Sequence, residues 1–218
     1  MKKIFTLLMI SLLVFSCNEP APSKDTIVES KAEKNCDYAV EAENLKFEWT
    51  AFKTTEKIAV KGTFDEIKAV NENQASSIPV VLTNTKFEIN LNSINSNNVE
   101  RDEKLREFVF GNMTNSEKFE GTIEACDGDN TKGVLIVNLT MNGVSKQLKM
   151  NYYIAESESK TKLINISGAL DLLNWKAEKS VEAINQACLK LHAGADGVSK
   201  TWSTMEINVI VPLKITCK

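Results

Sequence analysis

Residues 93–110 read SINSNNVERDEKLREFVF. They follow a stretch in which Phe87, Ile89 and Leu91 alternate with polar residues, the period of a strand with one dry face. After Ser93 that period breaks into an Asn-rich turn and then a short helical segment near 101–110. Within it Leu105, Phe108 and Val109 share one face, and Arg101, Asp102, Lys104 and Arg106 fall elsewhere. A short helix with one apolar stripe, inserted between strands, predicts a cover lying across an apolar opening.

Working outward, period-two alternation recurs on both sides. Leu45, Phe47 and Trp49 alternate with Lys46 and Glu48; Ile58, Val60, Gly62 and Phe64 with Ala59, Lys61 and Thr63; Phe119, Gly121 and Ile123 with Glu120, Thr122 and Glu124. Val137, Leu139 and Met141, then Leu148, Met150 and Tyr152, flank Asn142-Gly143, a tight-hairpin signal. Ile164 and Ile166 begin a further strand, and alternation from Met205 to Ile215 is long enough to run the height of a barrel. The count is about eight strands if the apolar run from Pro79 to Leu82 joins the sheet. One longer helix near 181–193 interrupts the series: Ser180 caps it, Val181, Ile184, Cys188 and Leu191 mark one face, and Gly194 ends it. It covers or plugs one barrel end, a mobile lid being the other reading. His192 is read as capping the last turn of this helix.

The stretch at 93–110 also resembles the YceI-like family of lipocalin-like barrels, in its Ser-Ile strand end, Asn-rich turn, Arg101-Asp102, Leu105-Arg106 and closing Phe108. VKGTF at 60–64 resembles the family's Gly-x-Phe strand end, and LTMNGVSK at 139–146 its turn of the form Leu-Thr-x-x-Gly-Val-x-Lys. The resemblance runs from about Leu45 to the C-terminus. One position departs from it: Lys104 stands where a His is usual. The resemblance implies a polyisoprenoid or related lipid held inside the barrel. The expected fold is therefore mainly β, a single antiparallel, lipocalin-like β-barrel over 36–218.

The N-terminus points to export. Lys2 and Lys3 precede an apolar run from Ile4 to Phe15 that stops at Ser16-Cys17. That run falls short of the roughly 20 residues a spanning helix needs, so 1–16 reads as a signal peptide. Val14 to Cys17 reads as a lipobox with Cys17 as the acylation site, although Phe15 is bulkier than usual there. Asn18 is not the Asp that, by resemblance to enterobacterial sorting, retains a lipoprotein in the inner membrane. The expected place is the periplasmic side of a bacterial envelope, anchored to the outer membrane. Residues 17–35, with Pro20, Pro22 and many charges, read as the lipidated N-terminus and a flexible tether.

The chain carries 26 basic and 29 acidic residues, and loss of Lys2 and Lys3 leaves 24 against 29. That balance argues against a nucleic-acid groove. With Cys17 set aside, Cys36, Cys126, Cys188 and Cys217 form an even set, as in exported disulfide proteins. Barrel closure places the start of the first strand beside the end of the last, which predicts Cys36–Cys217 and leaves Cys126–Cys188 as the second bridge. A thiolate metal site lacks the usual spacing, since there is no Cys-x-x-Cys and one His.

No catalytic constellation stands out. A Ser-His-Asp triad would have to recruit His192, and neither a Gly-x-Ser-x-Gly elbow nor a Walker loop nor a Gly-x-Gly-x-x-Gly cradle is present. Asp102 with Glu103, and Asp127 with Asp129, sit in polar turns where solvated carboxylates belong. The sequence reads as a non-enzyme, without cofactor other than a bound isoprenoid lipid. Ligand contacts are expected from the inward set Phe47, Trp49, Phe64, Phe87 and Ile89, from Leu105 and Phe108 over one mouth, and from Gly121, which with Gly62 and Gly168 leaves room inside. The alternative is a barrel with a filled core, acting as an envelope interaction or stress-protective module through its outer face or helix 180–193. An eight-stranded barrel can be filled or can hold one small ligand, and periodicity does not choose between them.

Overall fold

The computed structural model describes residues 35–156 and 161–217. The signal peptide, Cys17 and nearly all of the tether lie outside them. Apolar residues at every second position build eleven strands: β1 Cys36–Val40, β2 Lys46–Lys53, β3 Ile58–Phe64, β4 Ile67–Val70, β5 Lys86–Asn90, β6 Ile94–Asn95, β7 Lys118–Gly128, β8 Lys132–Met141, β9 Val144–Glu156, β10 Lys162–Asp171 and β11 Thr204–Cys217. All pair antiparallel in one sheet, in the order β4-β5-β7-β8-β9-β10-β11-β2-β3-β6, with β1 on β11.

The count of eleven against an expected eight comes from bending. β1 and β2 both lie along β11, with registers Cys36↔Cys217 and Trp49↔Ile207, and a turn at Ala42–Asn44 divides them. β3 and β4 likewise lie along β6 and β5, with registers Phe64↔Ile94 and Ile67↔Ile89. Three of eight ranks are therefore broken strands. At the second break Asp65 N–H donates to Ser93 O at 3.1 Å and Asn90 N–H to Glu66 O at 3.0 Å, so the two ends of the sheet path meet. The sheet curls around one interior, where Leu135, Val137, Leu139, Met150, Tyr152, Ile164 and Ile207 are buried. Asn142 and Gly143, both at positive φ, turn β8 tightly into β9 as the sequence predicts.

Two expectations about helices need correction. Pro79–Leu82 joins no strand; it belongs to helix α1 (Ile78–Leu82), with Pro79 in its first turn. Ile78, Val81 and Leu82 are buried while Val80 is exposed, a helical spacing that a four-residue apolar run cannot declare. The Ile78 N–H donates to Asn130 Oδ1 at 2.7 Å, which holds α1 against the β7–β8 end of the barrel. Helix α2 (Val99–Lys104) is capped by Asn98, whose side chain accepts from Arg101 N–H at 2.9 Å. It continues as a π turn (Leu105–Val109) and a tight turn (Phe110–Asn112). Helix α3 spans Glu178–Ala187. It starts before Ser180, because the turn at Leu172–Trp175 and left-handed Lys176 deliver the chain into helix at Ala177. Ser180 is thus fully buried within it and caps nothing. The helix also stops short of residue 193.

Cys36 and Cys217 face each other across the β1–β11 pair and are disulfide-bonded, closing a sequence separation of 181. The second expected bridge is absent: Cys126 and Cys188 are free. Cys126 lies on β7 opposite Leu135, beyond a bulge at Ile123/Ala125 and toward the α1 end. Cys188 follows α3 at the other end. An even cysteine count carries no information about which ends of a barrel its members occupy.

Chain-entropy reasoning gives a loop this long up to about 5 kcal/mol of stabilisation. At roughly 2–4 °C per kcal/mol, the double variant C36S/C217S is expected to melt about 10 °C or more below wild type. Peptide mapping without reductant is expected to return the Cys36–Cys217 link and unmodified Cys126 and Cys188. A Cys126–Cys188 peptide would refute the arrangement.

Candidate ligand cavity

The barrel encloses a cavity of about 490 Å³, within the range of pockets that hold small ligands. Its walls are inward residues from all eleven strands, and Leu82 of α1 lies at one end. Phe47, Trp49, Phe64, Phe87 and Ile89, the five residues that alternation points inward, lie in the lining. Leu105 lines it too.

Phe108 does not. The π turn adds a residue to one helical turn and rotates the residues after it, so the lining passes from Leu105 to Val109, Phe110 and Met113. Phe110, which strict helical spacing overlooks, is buried against two rings. Its centroid is 6.2 Å from Phe64 and 6.0 Å from Phe119, the second edge-on at 86°. Phe47 meets Phe64 at 5.6 Å. The available signal was the five-residue spacing of Leu105 and Phe110, the step of a π turn.

Gly121 does not line the cavity either. A Cβ there would lie 2.5 Å from Cζ of Phe87, its cross-strand partner. The glycine therefore accommodates a ring and does not line the cavity. Gly62 does the same for Trp49, whose Cζ2 would sit 2.3 Å from an added Cβ, and Gly168 admits Met150 at 3.0 Å. The space that these glycines spare is taken by neighbouring side chains. The cavity arises from barrel girth.

Helix α3 and the 99–112 segment pack together over the other end. The apolar face predicted for the helix, Val181, Ile184, Cys188 and Leu191, lines the cavity there. His192 does not cap α3, which ends five residues earlier. Its Nδ1 lies 2.7 Å from Thr201 Oγ1, and its ring lines the mouth beside Lys53, Arg101 and Lys104. Burial, then the charges of Lys53 and Lys104, hold its pKa below the ordinary imidazole value. Arg101 and Asp102 do not pair directly; both converge on Ser96. Buried Asp102 accepts from Ser96 N–H at 2.9 Å and from its hydroxyl, while Arg101 donates to Ser96 Oγ at 2.8 Å and Ser96 O at 2.9 Å. These bonds fix α2 to the strand end before it.

The sequence matches the model of the YceI-like domain over residues 38–210. The chain belongs to the YceI-like family. Among solved structures, it is similar to a polyisoprenoid-binding domain from Saccharophagus degradans implicated in plant cell wall breakdown, with 14% identity, TM-score 0.55, and 82% of this chain and 98% of that one covered. It is also similar to BcnA from Burkholderia cenocepacia, with 12% identity, TM-score 0.57, and coverage of 80% and 99%. Among curated proteins no match is found. At such identities the neighbours speak to fold alone, and this YceI-like domain shares theirs.

His192 is the chain's single histidine, so its titration is free of overlap. Its pKa is lower folded than unfolded. The stability this difference confers is complete above the unfolded value near 6.5 and drains away as pH falls through the folded value. Imidazole NMR signals are expected to give a midpoint below 6.5, and His192→Gln to flatten the loss of stability on acidification. A midpoint above 6.5 would contradict the half-buried, lysine-flanked setting.

Proposed function

We propose that this chain is an envelope lipoprotein that binds, sequesters or carries an apolar, isoprenoid-like lipid inside its barrel. The observation that carries the reading is the 490 Å³ cavity walled by aliphatic and aromatic side chains. Each buried methylene contributes about 0.8 kcal/mol, so a chain of a dozen or more carbons binds without polar help even after its ordering cost. The polyisoprenoid-binding description of the Saccharophagus degradans domain points to the same ligand class. An enclosed volume of this size counts against the filled-core alternative. Anchoring rests on the N-terminal reading: Cys17 is acylated after cleavage, and the domain stays on the periplasmic side, tethered to the outer membrane.

Two measurements test this. Solvent extraction of protein purified without detergent, followed by mass spectrometry, is expected to release a long-chain lipid in near-stoichiometric amount. Val137→Phe, which adds a ring to a buried lining position, is expected to lower that amount severalfold, at a packing cost of about 1–3 kcal/mol. Folded Val137→Phe protein with undiminished lipid would move the ligand out of the barrel and favour the interaction-module reading. For the anchor, Cys17→Ser is expected to shift the protein from the membrane to the soluble fraction and to remove acyl mass from the N-terminal peptide.

A further inference from the structure

The cavity is apolar along its walls and charged at one place. Four formally charged residues reach the lining: Lys53 at the end of β2, and Glu100, Arg101 and Lys104 on α2. With His192 they surround the mouth under α3. Three fixed cations against one carboxylate is not the balance of the chain, whose net charge is −3. Nor are these cations matched internally. The ion pairs found among the described residues are those of Lys118 with Glu88 and Glu120, on β5 and β7. Lys53 Nζ donates to the Leu191 carbonyl at 3.2 Å and Arg101 is held by Ser96, while Lys104, a partly buried residue, makes no side-chain hydrogen bond or ion pair among the described residues. Cations without a counter-ion at the edge of an apolar cavity leave an anion's charge a place to be matched. Leu191, 58% exposed at the same rim, leaves an apolar edge next to this charge. A tail in the barrel thus ends among cations.

We propose, resting on the lipid-binding reading above, that the mouth receives an anionic head, a carboxylate or a phosphate monoester, so that the preferred cargo is an anionic amphiphile and not a neutral lipid. Lys53 and Lys104 approach the head from opposite sides of the mouth, one from the sheet and one from α2. Arg101, already positioned by Ser96, adds charge behind Lys104. His192, which faces Lys53 and Lys104 and lies beside Cys188 and Thr201, reports occupancy, because an anion there offsets the lysine charges that add to burial in depressing its titration.

The test compares ligands with identical tails on the purified, delipidated protein: geranylgeranyl monophosphate against geranylgeraniol, and oleate against oleyl alcohol. The anionic member of at least one pair is expected to bind about tenfold more tightly at low salt, with the advantage shrinking as salt screens the charges. In the Lys53→Gln/Lys104→Gln variant the ratio within that pair is expected to fall toward one. Lys68→Gln, on the exposed face of β4, is expected to preserve it. The His192 NMR midpoint is expected to rise with the anionic ligand and to stay in place with the alcohol. The pair with the larger ratio tells phosphate from carboxylate. Equal affinities within both pairs would overturn the headgroup proposal and leave lipid binding standing. No binding by any of the four would overturn both.

Discussion

The pairing of two bent ribbons, 58–70 against 86–95, is the constraint on which the rest of the molecule depends. An antiparallel sheet with free edges leaves backbone donors and acceptors unpaired, and its dry face needs a second layer to cover it. Here the ribbons bend together at Asp65-Glu66 and at Leu91–Ser93, and the bonds from Asp65 and Asn90 across the bend bring the ends of the sheet together. The Asn90 side chain caps the second bend by accepting from Asn92 N–H at 3.0 Å. Once curled, the sheet covers its own apolar face. The second layer becomes unnecessary, and an interior wider than the side chains can fill is tolerated.

That width is regulated by large residues set against small ones. Trp49 over Gly62 and Phe87 over Gly121 are cross-strand pairs in which a ring takes the space a Cβ would need. The Trp49 indole N–H also donates to Thr63 O at 3.2 Å, fixing the ring's orientation. Any side chain at either glycine would meet both the ring and a backbone carbonyl of a neighbouring strand, and one of them would have to move. The glycines therefore shape the cavity indirectly, by holding aromatic surface at its perimeter where a tail can lie against it.

The two ends of the barrel differ in chemistry. At one, α1 packs its Ile78, Val81 and Leu82 face inward and the Cys36–Cys217 bond ties the first strand to the last. At the other, α3 and the π-turn segment meet over an opening that combines exposed Leu191 with Lys53, Arg101 and Lys104. A covalently fastened, apolar end and a helix-covered, cationic end make the cavity directional. In the proposed lipid-binding role, a tail enters at the helices and stops against α1.

The fold was legible in the residues because a period of two is local: alternation at 45–49, 58–64, 137–152 and 205–215 reports which face is dry whatever the strand pairs with, and Asn142-Gly143 reports its turn from two residues. The same alternation named five lining side chains, since inward direction comes from parity once the sheet curls. Tertiary structure decided what parity cannot reach. Phe110 replaced Phe108 because a π turn inserts one residue into the helical phase. Gly121 lost its place in the lining because its partner's ring fills the space, and that partner, Phe87, is 34 positions away in sequence. Cys126 and Cys188 stayed apart because they occupy opposite ends of the barrel. The three cations converge on one mouth although Lys53 lies on a strand 48 residues before Arg101. Composition and period are properties of neighbours along the chain, whereas cavity, charge cluster and disulfide are properties of neighbours in space.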